Sequence, residues 1–185
     1  MATDKRMRAI VPTKVEDALR TSAGALQEAG VEFALVGGLA LDHYADEPRF
    51  TRDVDFVVSA DRWRDAVRAI KGVGFKRGRV DSMLTQLENR DDVRVDLLFG
   101  VGDPEESAHA TAKIRKVLDA TVPVVSPETL VWTYLISDQR RHEEDAERLV
   151  RWRIDLAKLA GWLKQTKSVE ELAKLARVVA RVRGG

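Results

Sequence analysis

A glycine pair set between a short apolar strand and a new helix, and followed by two aspartates in alternation, constrains this chain more than any other feature. Residues 31–40, Val-Glu-Phe-Ala-Leu-Val-Gly-Gly-Leu-Ala, read as a helix end, a buried strand, the glycines Gly37 and Gly38, and a helix start. Residues 49–58, Arg-Phe-Thr-Arg-Asp-Val-Asp-Phe-Val-Val, follow. Side chains on a strand alternate between faces, so Asp53 and Asp55 point one way while Val54, Phe56 and Val58 point into a core. A third aspartate, Asp96, sits in a later apolar strand, Val93–Phe99, where it shares a face with Arg94 and Leu98. Two carboxylates on one face repel, and a divalent cation held between them is the simplest remedy. A glycine turn that opens onto a helix N-terminus offers unpaired N–H groups and a positive dipole end, which suits phosphate. Cation and phosphate cradle together point to nucleotide chemistry.

The rest of the chain reads as a frame for that site. Val15, Leu19, Ser22 and Leu26 at helical spacing predict a helix over 14–29, stopped by Gly30. A second helix is expected from Asp61, as N-cap, to Lys71, with Trp63, Val67 and Ile70 inward. Residues 82–88 and 93–99 flank the turn-rich Asn89–Asp92 and predict an antiparallel hairpin, closed by Gly100–Asp103. A weaker strand is expected over Thr121–Val125. Ser126-Pro127-Glu128 is a helix start, and beyond it apolar residues step by three or four through Leu149, Trp152, Leu156, Leu159 and Leu163 and through Val169–Val182. The predicted layout is α+β, a mixed sheet flanked by helices over 1–125 followed by a C-terminal helical bundle over 126–185.

Composition narrows the partners. The chain of 185 residues has no cysteine, which removes thiolate metal sites, and its three histidines lack metal-ligand spacing. No stretch approaches the roughly 20 apolar residues of a membrane span, and the N-terminus lacks the apolar run of a secretory signal, so a cytoplasmic protein is expected. Net charge is only +1, yet residues 148–185 carry ten basic side chains against three acidic ones. A basic helical face of that kind suits phosphate backbones, while a solvated helix surface is its ordinary alternative. Trp132, Trp152 and Trp162 lie on helices among apolar neighbours and are expected in the core rather than as base-stacking platforms.

The motifs Val-Gly-Gly-Leu-Ala-Leu and Arg-Phe-Thr-Arg-Asp-Val-Asp resemble the nucleotidyltransferases of the DNA polymerase β superfamily. Within it the chain is most similar to AbiEii-type nucleotidyltransferases, toxin components of bacterial toxin–antitoxin and phage-defence systems. The resemblance implies a polymerase-β-like fold and transfer of NMP from an NTP to an acceptor hydroxyl, on RNA, tRNA or protein. Asp53 and Asp55 would hold two Mg²⁺ (or Mn²⁺) ions about 4 Å apart, with Asp96 completing the second metal's shell and helping to deprotonate the acceptor. Gly37 and Gly38 would admit the triphosphate, and Arg49, Thr51 and Arg52 stand where a guanidinium or hydroxyl could reach it. A cognate antitoxin is an implied partner. One departure is visible: Tyr134 occupies the place of a lysine usual in the toxin-type enzymes, so that Arg140 or Arg141 substitutes, activity is altered, or the fold persists without full catalysis. Two further readings stand beside the toxin enzyme: a small-molecule, aminoglycoside-like nucleotidyltransferase, and a non-catalytic binding or antitoxin-like module.

Overall fold

The computed structural model describes residues 11–45, 50–80, 83–99, 108, 111–137, 139–152, 154–166 and 168–184. Packing divides the chain into two compact units, Met1–Val125 and Ser126–Gly185.

In the first unit, helix α1 (Thr13–Glu28) buries Val15, Leu19, Ser22 and Leu26 along one stripe. The one polar member, Ser22, is satisfied by donating to the Ala18 carbonyl at 2.6 Å. Gly30, at φ 61°, takes the left-handed turn that ends this segment. Strand β1 (Phe33–Val36) is buried throughout and runs directly into helix α2 (Gly37–Tyr44). Strand β2 (Asp53–Val58) follows, then helix α3 (Trp63–Gly72), strands β3 (Lys76–Val80), β4 (Leu84–Glu88), β5 (Arg94–Leu98), β6 (Lys113–Val117) and β7 (Ala120–Val124). Among the described residues these strands form one mixed seven-stranded sheet in the order β3-β4-β5-β2-β1-β7-β6. The pairs β5/β2 and β1/β7 are parallel and the others antiparallel.

The hairpin read from Asn89–Asp92 is β4 and β5. Asn89 builds its turn, its side-chain oxygen accepting from the backbone N–H groups of Asp91 and Val93 at 2.9 and 3.0 Å. The expectation for Gly100–Asp103 lies outside the described residues. Two local expectations are corrected. Asp61 is not the N-cap of α3: the cap is Arg62, which has no capping side chain, and Asp61 accepts instead from Ser59 Oγ at 2.8 Å. Ser59 also closes a turn by accepting from Arg62 N–H, which starts the helix two residues later. Strand β6 was not expected, because three of its five residues are cationic and its turn into β7 has no glycine. Leu118 takes the left-handed φ of 53° that a glycine or asparagine normally advertises.

The second unit is helical: α4 (Pro127–Leu135), α5 (Arg140–Arg151), α6 (Leu156–Gln165) and α7 (Val169–Gly184). Ser126 caps α4 by accepting from Thr129 N–H at 3.2 Å, with Pro127 in the first turn. At its other end the buried Lys174 ammonium donates to the Leu135 carbonyl at 3.1 Å, a cation on a helix C-terminus. The apolar stepping from Leu149 to Leu163 is not one helix. The chain breaks after Arg151, and Asp155 recaps α6 by accepting from Lys158 N–H at 2.9 Å while donating its own N–H to Glu128 at 2.9 Å. The break leaves Trp152 43% exposed, against the core position expected for it, whereas Trp132 is buried. Among the described residues no helix is long and apolar enough to cross a membrane.

Candidate active site

The site is built on the parallel pair β2/β5. Its register sets Asp55 opposite Asp96 and Asp53 opposite Arg94, so all four side chains project from one face. Val54, Phe56, Val95 and Leu97 fill the other face and are fully buried, which fixes the register: a one-residue slip would put the carboxylates into the core. On the far side of β2, Val36 pairs with Asp55, which brings the β1–α2 junction against the carboxylate. Gly37 stands there at φ 66°. A Cβ at Gly37 would overlap the Asp55 carboxyl group and come within 2.8 Å of Asp55 Cβ. Position 37 is therefore glycine for two independent reasons, backbone conformation and contact. Gly38 is buried in the first turn of α2.

Two neighbours hold two of the carboxylates. Arg94 Nη2 donates to Asp53 Oδ2 at 3.0 Å, and Gln86 Nε2, opposite Asp96 across β4/β5, donates to Asp96 Oδ2 at 3.1 Å. Burial raises the Asp96 pKa above its ordinary value; the Gln86 bond and the Arg94 charge oppose that rise, and the Asp53 charge adds to it. The second Asp96 oxygen, Oδ1, is buried with no hydrogen-bond partner among the described residues. An orphaned carboxylate oxygen facing two more carboxylates is the donor chemistry of a hard divalent cation. The donor types suit such an ion, but among the described residues no three His, Asp or Glu side chains are grouped so as to hold one.

The other expected residues are placed less directly. Thr51 is buried and its hydroxyl has no partner among the described residues. Arg52 is exposed and lies over the Phe50 ring at 5.0 Å. Arg49 lies outside the described residues. Tyr134 is a core residue of the helical unit, its ring centroid 5.0 Å from that of His142. Arg140 and Arg141 are exposed on the first turn of α5. Gln86 was not expected at the site. Arg94, which shares a strand face with Asp96, makes its ion pair with Asp53. The sequence alone did not place Gln86 there: a four-residue loop over Asn89–Asp92 would set residue 86 opposite 95, whereas Asn89 N–H donates to the Val93 carbonyl, which tightens the turn and brings residue 86 opposite 96.

A profile of the family described as nucleotidyl transferase AbiEii toxin, type IV toxin–antitoxin system, matches residues 23–185. No protein of curated function matches the sequence. The fold is similar to lincosamide antibiotic adenylyltransferase LnuA in its lincomycin-bound form, with TM-score 0.56 and 16% identity over 78% of this chain and 99% of that one. It is similar to ANT(2'')-Ia in complex with adenylyl-2''-tobramycin, with TM-score 0.58 and 14% identity over 92% and 99% of the two chains. An antigenic nucleotidyltransferase-like protein from Paracoccidioides brasiliensis aligns with TM-score 0.52 and 17% identity over 87% and 86%. At these identities the likeness is one of fold.

Proposed function

The chain belongs to the AbiEii nucleotidyl transferase family, and from that premise we propose that it transfers NMP from an NTP to an acceptor hydroxyl at the β2/β5 carboxylates. The observation that carries this reading is the shared face of Asp53, Asp55 and Asp96, with Gly37 packed against Asp55. A divalent cation, Mg²⁺ or Mn²⁺, would be held by Asp53, Asp55 and Asp96 and would supply charge neutralisation for the leaving pyrophosphate. Gly37 and Gly38 let the α2 N-terminus approach the triphosphate, where its N–H groups and dipole favour anions. Thr51 and Arg52, on the segment entering β2, and Arg49 before them, are the remaining triphosphate candidates. Asp96, opposite Asp55 across β2/β5, is placed to accept the acceptor's proton. Catalysis in this reading is mostly positioning.

The acceptor we favour is an RNA end, supported by the basic balance of residues 148–185. Part of that charge is already engaged: Arg181 pairs with Glu143 and Glu147, and Arg177 approaches Glu143 at 3.9 Å. That internal neutralisation favours, as a second reading, a small-molecule acceptor of the kind named for the lincosamide and tobramycin enzymes. The family's description as type IV toxins supports a toxin role with a paired antitoxin, and the absence of a membrane-crossing helix among the described residues is consistent with work in the cytoplasm. The test is incubation with each labelled NTP and Mg²⁺ or Mn²⁺, against total RNA, protein and an aminoglycoside panel. Label in RNA supports the first reading and label in the aminoglycoside the second. No transfer with any acceptor, alongside metal-independent melting, defeats both and leaves the non-catalytic module.

A further inference from the structure

The carboxylates lie in two cross-strand rows. One runs Gln86, Asp96, Asp55; the next runs Glu88, Arg94, Asp53. In the first row Gln86 donates to Asp96 Oδ2, and Oδ1 is buried without a hydrogen-bond partner among the described residues. In the second, Arg94 has a carboxylate on either side. It pairs with Asp53, while Glu88 is exposed and in no ion pair among the described residues. Directly opposed residues on adjacent strands stand about 5 Å apart at Cβ, so a swing of one guanidinium reaches either acid.

We propose that Gln86 and Arg94 are positioning residues that set the cation affinity of the site: Gln86 locks the Asp96 carboxylate, and Arg94 is a resident counter-ion on Asp53 that an entering divalent cation displaces toward Glu88. This rests on the reading of Asp53, Asp55 and Asp96 as cation ligands. Arg94 is a charge the protein supplies to itself, shielding Asp53 from Asp55 and Asp96 when no cation is present and competing with the ion that replaces it. Gln86 acts through Asp96 alone and competes with nothing.

The two variants therefore move metal affinity in opposite directions, which a merely structural role does not produce. The experiment titrates Mn²⁺ against the melting temperature of the full chain, without nucleotide, for the native protein, Gln86→Leu, Arg94→Gln, Glu88→Gln and Asp55→Asn. Gln86→Leu is expected to raise the half-saturating Mn²⁺ concentration about tenfold, the usual loss when a ligand's hydrogen-bond partner is removed. Arg94→Gln is expected to lower the metal-free Tm and to lower half-saturation by about two- to fivefold, the range a half-exposed ion pair commands. Glu88→Gln is expected to raise half-saturation slightly, since the displaced guanidinium loses its second berth. Should Arg94→Gln fail to fold, Arg94→Lys replaces it: its single ammonium holds Asp53 less well, so half-saturation below native supports the assignment and a value equal to native overturns it for Arg94. Half-saturation unchanged in Gln86→Leu and Arg94→Gln, with Asp55→Asn abolishing the response, overturns the proposal and leaves the cation reading standing. A native protein whose Tm ignores Mn²⁺ overturns the cation reading and this proposal with it.

Discussion

On β2 and β5 three carboxylates share a sheet face, with Arg94 on Asp53 and Gln86 on Asp96, whereas on α5 and α7 Glu143 and Glu147 meet Arg181, with Arg177 alongside. The two regions use the same side-chain types and leave opposite residues of charge. In the sheet, strand register forces like charges into neighbouring rows and burial removes the water that would screen them, leaving Asp96 with an orphaned oxygen and a raised pKa. In the helices the partners lie on separate, half-exposed elements, free to choose opposite charges, and the Glu143 pKa falls, chiefly through the Arg181 hydrogen bond. The opposed charges of the helices make a joint within one unit, whereas the like charges of the sheet face are what the proposed cation would neutralise.

The largest effect that could break this contrast is expected at Asp55. Asp55→Asn keeps the volume against Gly37 and removes the central charge. It should lower the nucleotidyl-transfer rate by about 10²–10³, the scale of losing one preorganised electrostatic contact, and abolish any Mn²⁺-induced rise in Tm. A folded Asp55→Asn protein retaining full transfer would place the chemistry elsewhere. Gly37→Ala comes next. Its methyl group meets the Asp55 carboxyl at a left-handed backbone position, and about 2 kcal/mol of stability should be lost, read by urea unfolding, together with transfer activity. Loss of activity with undiminished stability would mean that the turn relaxes and only the site is spoiled.

Much of this frame was legible in the sequence. Alternation in residues 53–58 and 93–99 identified the two strands and put Asp53 with Asp55 on one side, because a period of two is a property of any strand. The turn residues Asn89–Asp92 identified the hairpin, because Asn89 closes it with its own side chain. What escaped depended on tertiary choices. Strand β6 has the composition of a surface loop and is a strand because β7 pairs with it along its length. The helix break at Trp152 carries neither glycine nor proline and is stabilised by Asp155 and the distant Glu128. Arg94 could have served Asp96, Glu88 or Asp53, and its choice of Asp53 becomes visible only once β2 lies beside β5.

A smaller effect tests whether the strand carboxylates are held at a cost. Asp96→Asn removes a charge that burial penalises while keeping an oxygen to accept from Gln86. At neutral pH the metal-free Tm should rise by a few degrees, corresponding to about 1 kcal/mol in a chain of this size. A raised carboxylate pKa means that the folded state holds the proton more tightly, so native stability from this group falls as pH rises through the carboxylate range. Asp96→Asn removes that slope, and the gain over native should shrink as pH falls through the raised folded value and be gone below the ordinary 3.8. An unchanged or lowered Tm at pH 7 would mean that Asp96 is satisfied by something outside the described residues.

The smallest expected effect lies in the helices. Glu143 has its pKa lowered from an ordinary 4.5, with the Arg181 hydrogen bond as the largest cause. A depressed carboxylate pKa means that the unfolded chain takes up the proton first, so the stabilisation is complete above the ordinary value and is lost as pH falls through the folded one. Both partners are partly exposed, with side-chain accessibilities of 45% for Arg181 and 31% for Glu143, so water and salt screen the pair. Arg181→Gln should therefore cost only about 0.5 kcal/mol at pH 7 and low salt, less at 1 M NaCl, and progressively less as pH falls through the lowered Glu143 value. The same variant bears on the acceptor. An arginine engaged with Glu143 and Glu147 has little charge to offer a phosphate, so Arg181→Gln should leave the salt dependence of RNA binding almost unchanged, whereas Arg183→Gln, which has no ion pair among the described residues, should reduce the slope by about one. Equal reductions from the two variants would show that RNA competes successfully with the glutamates, and that the helical joint is also a binding surface.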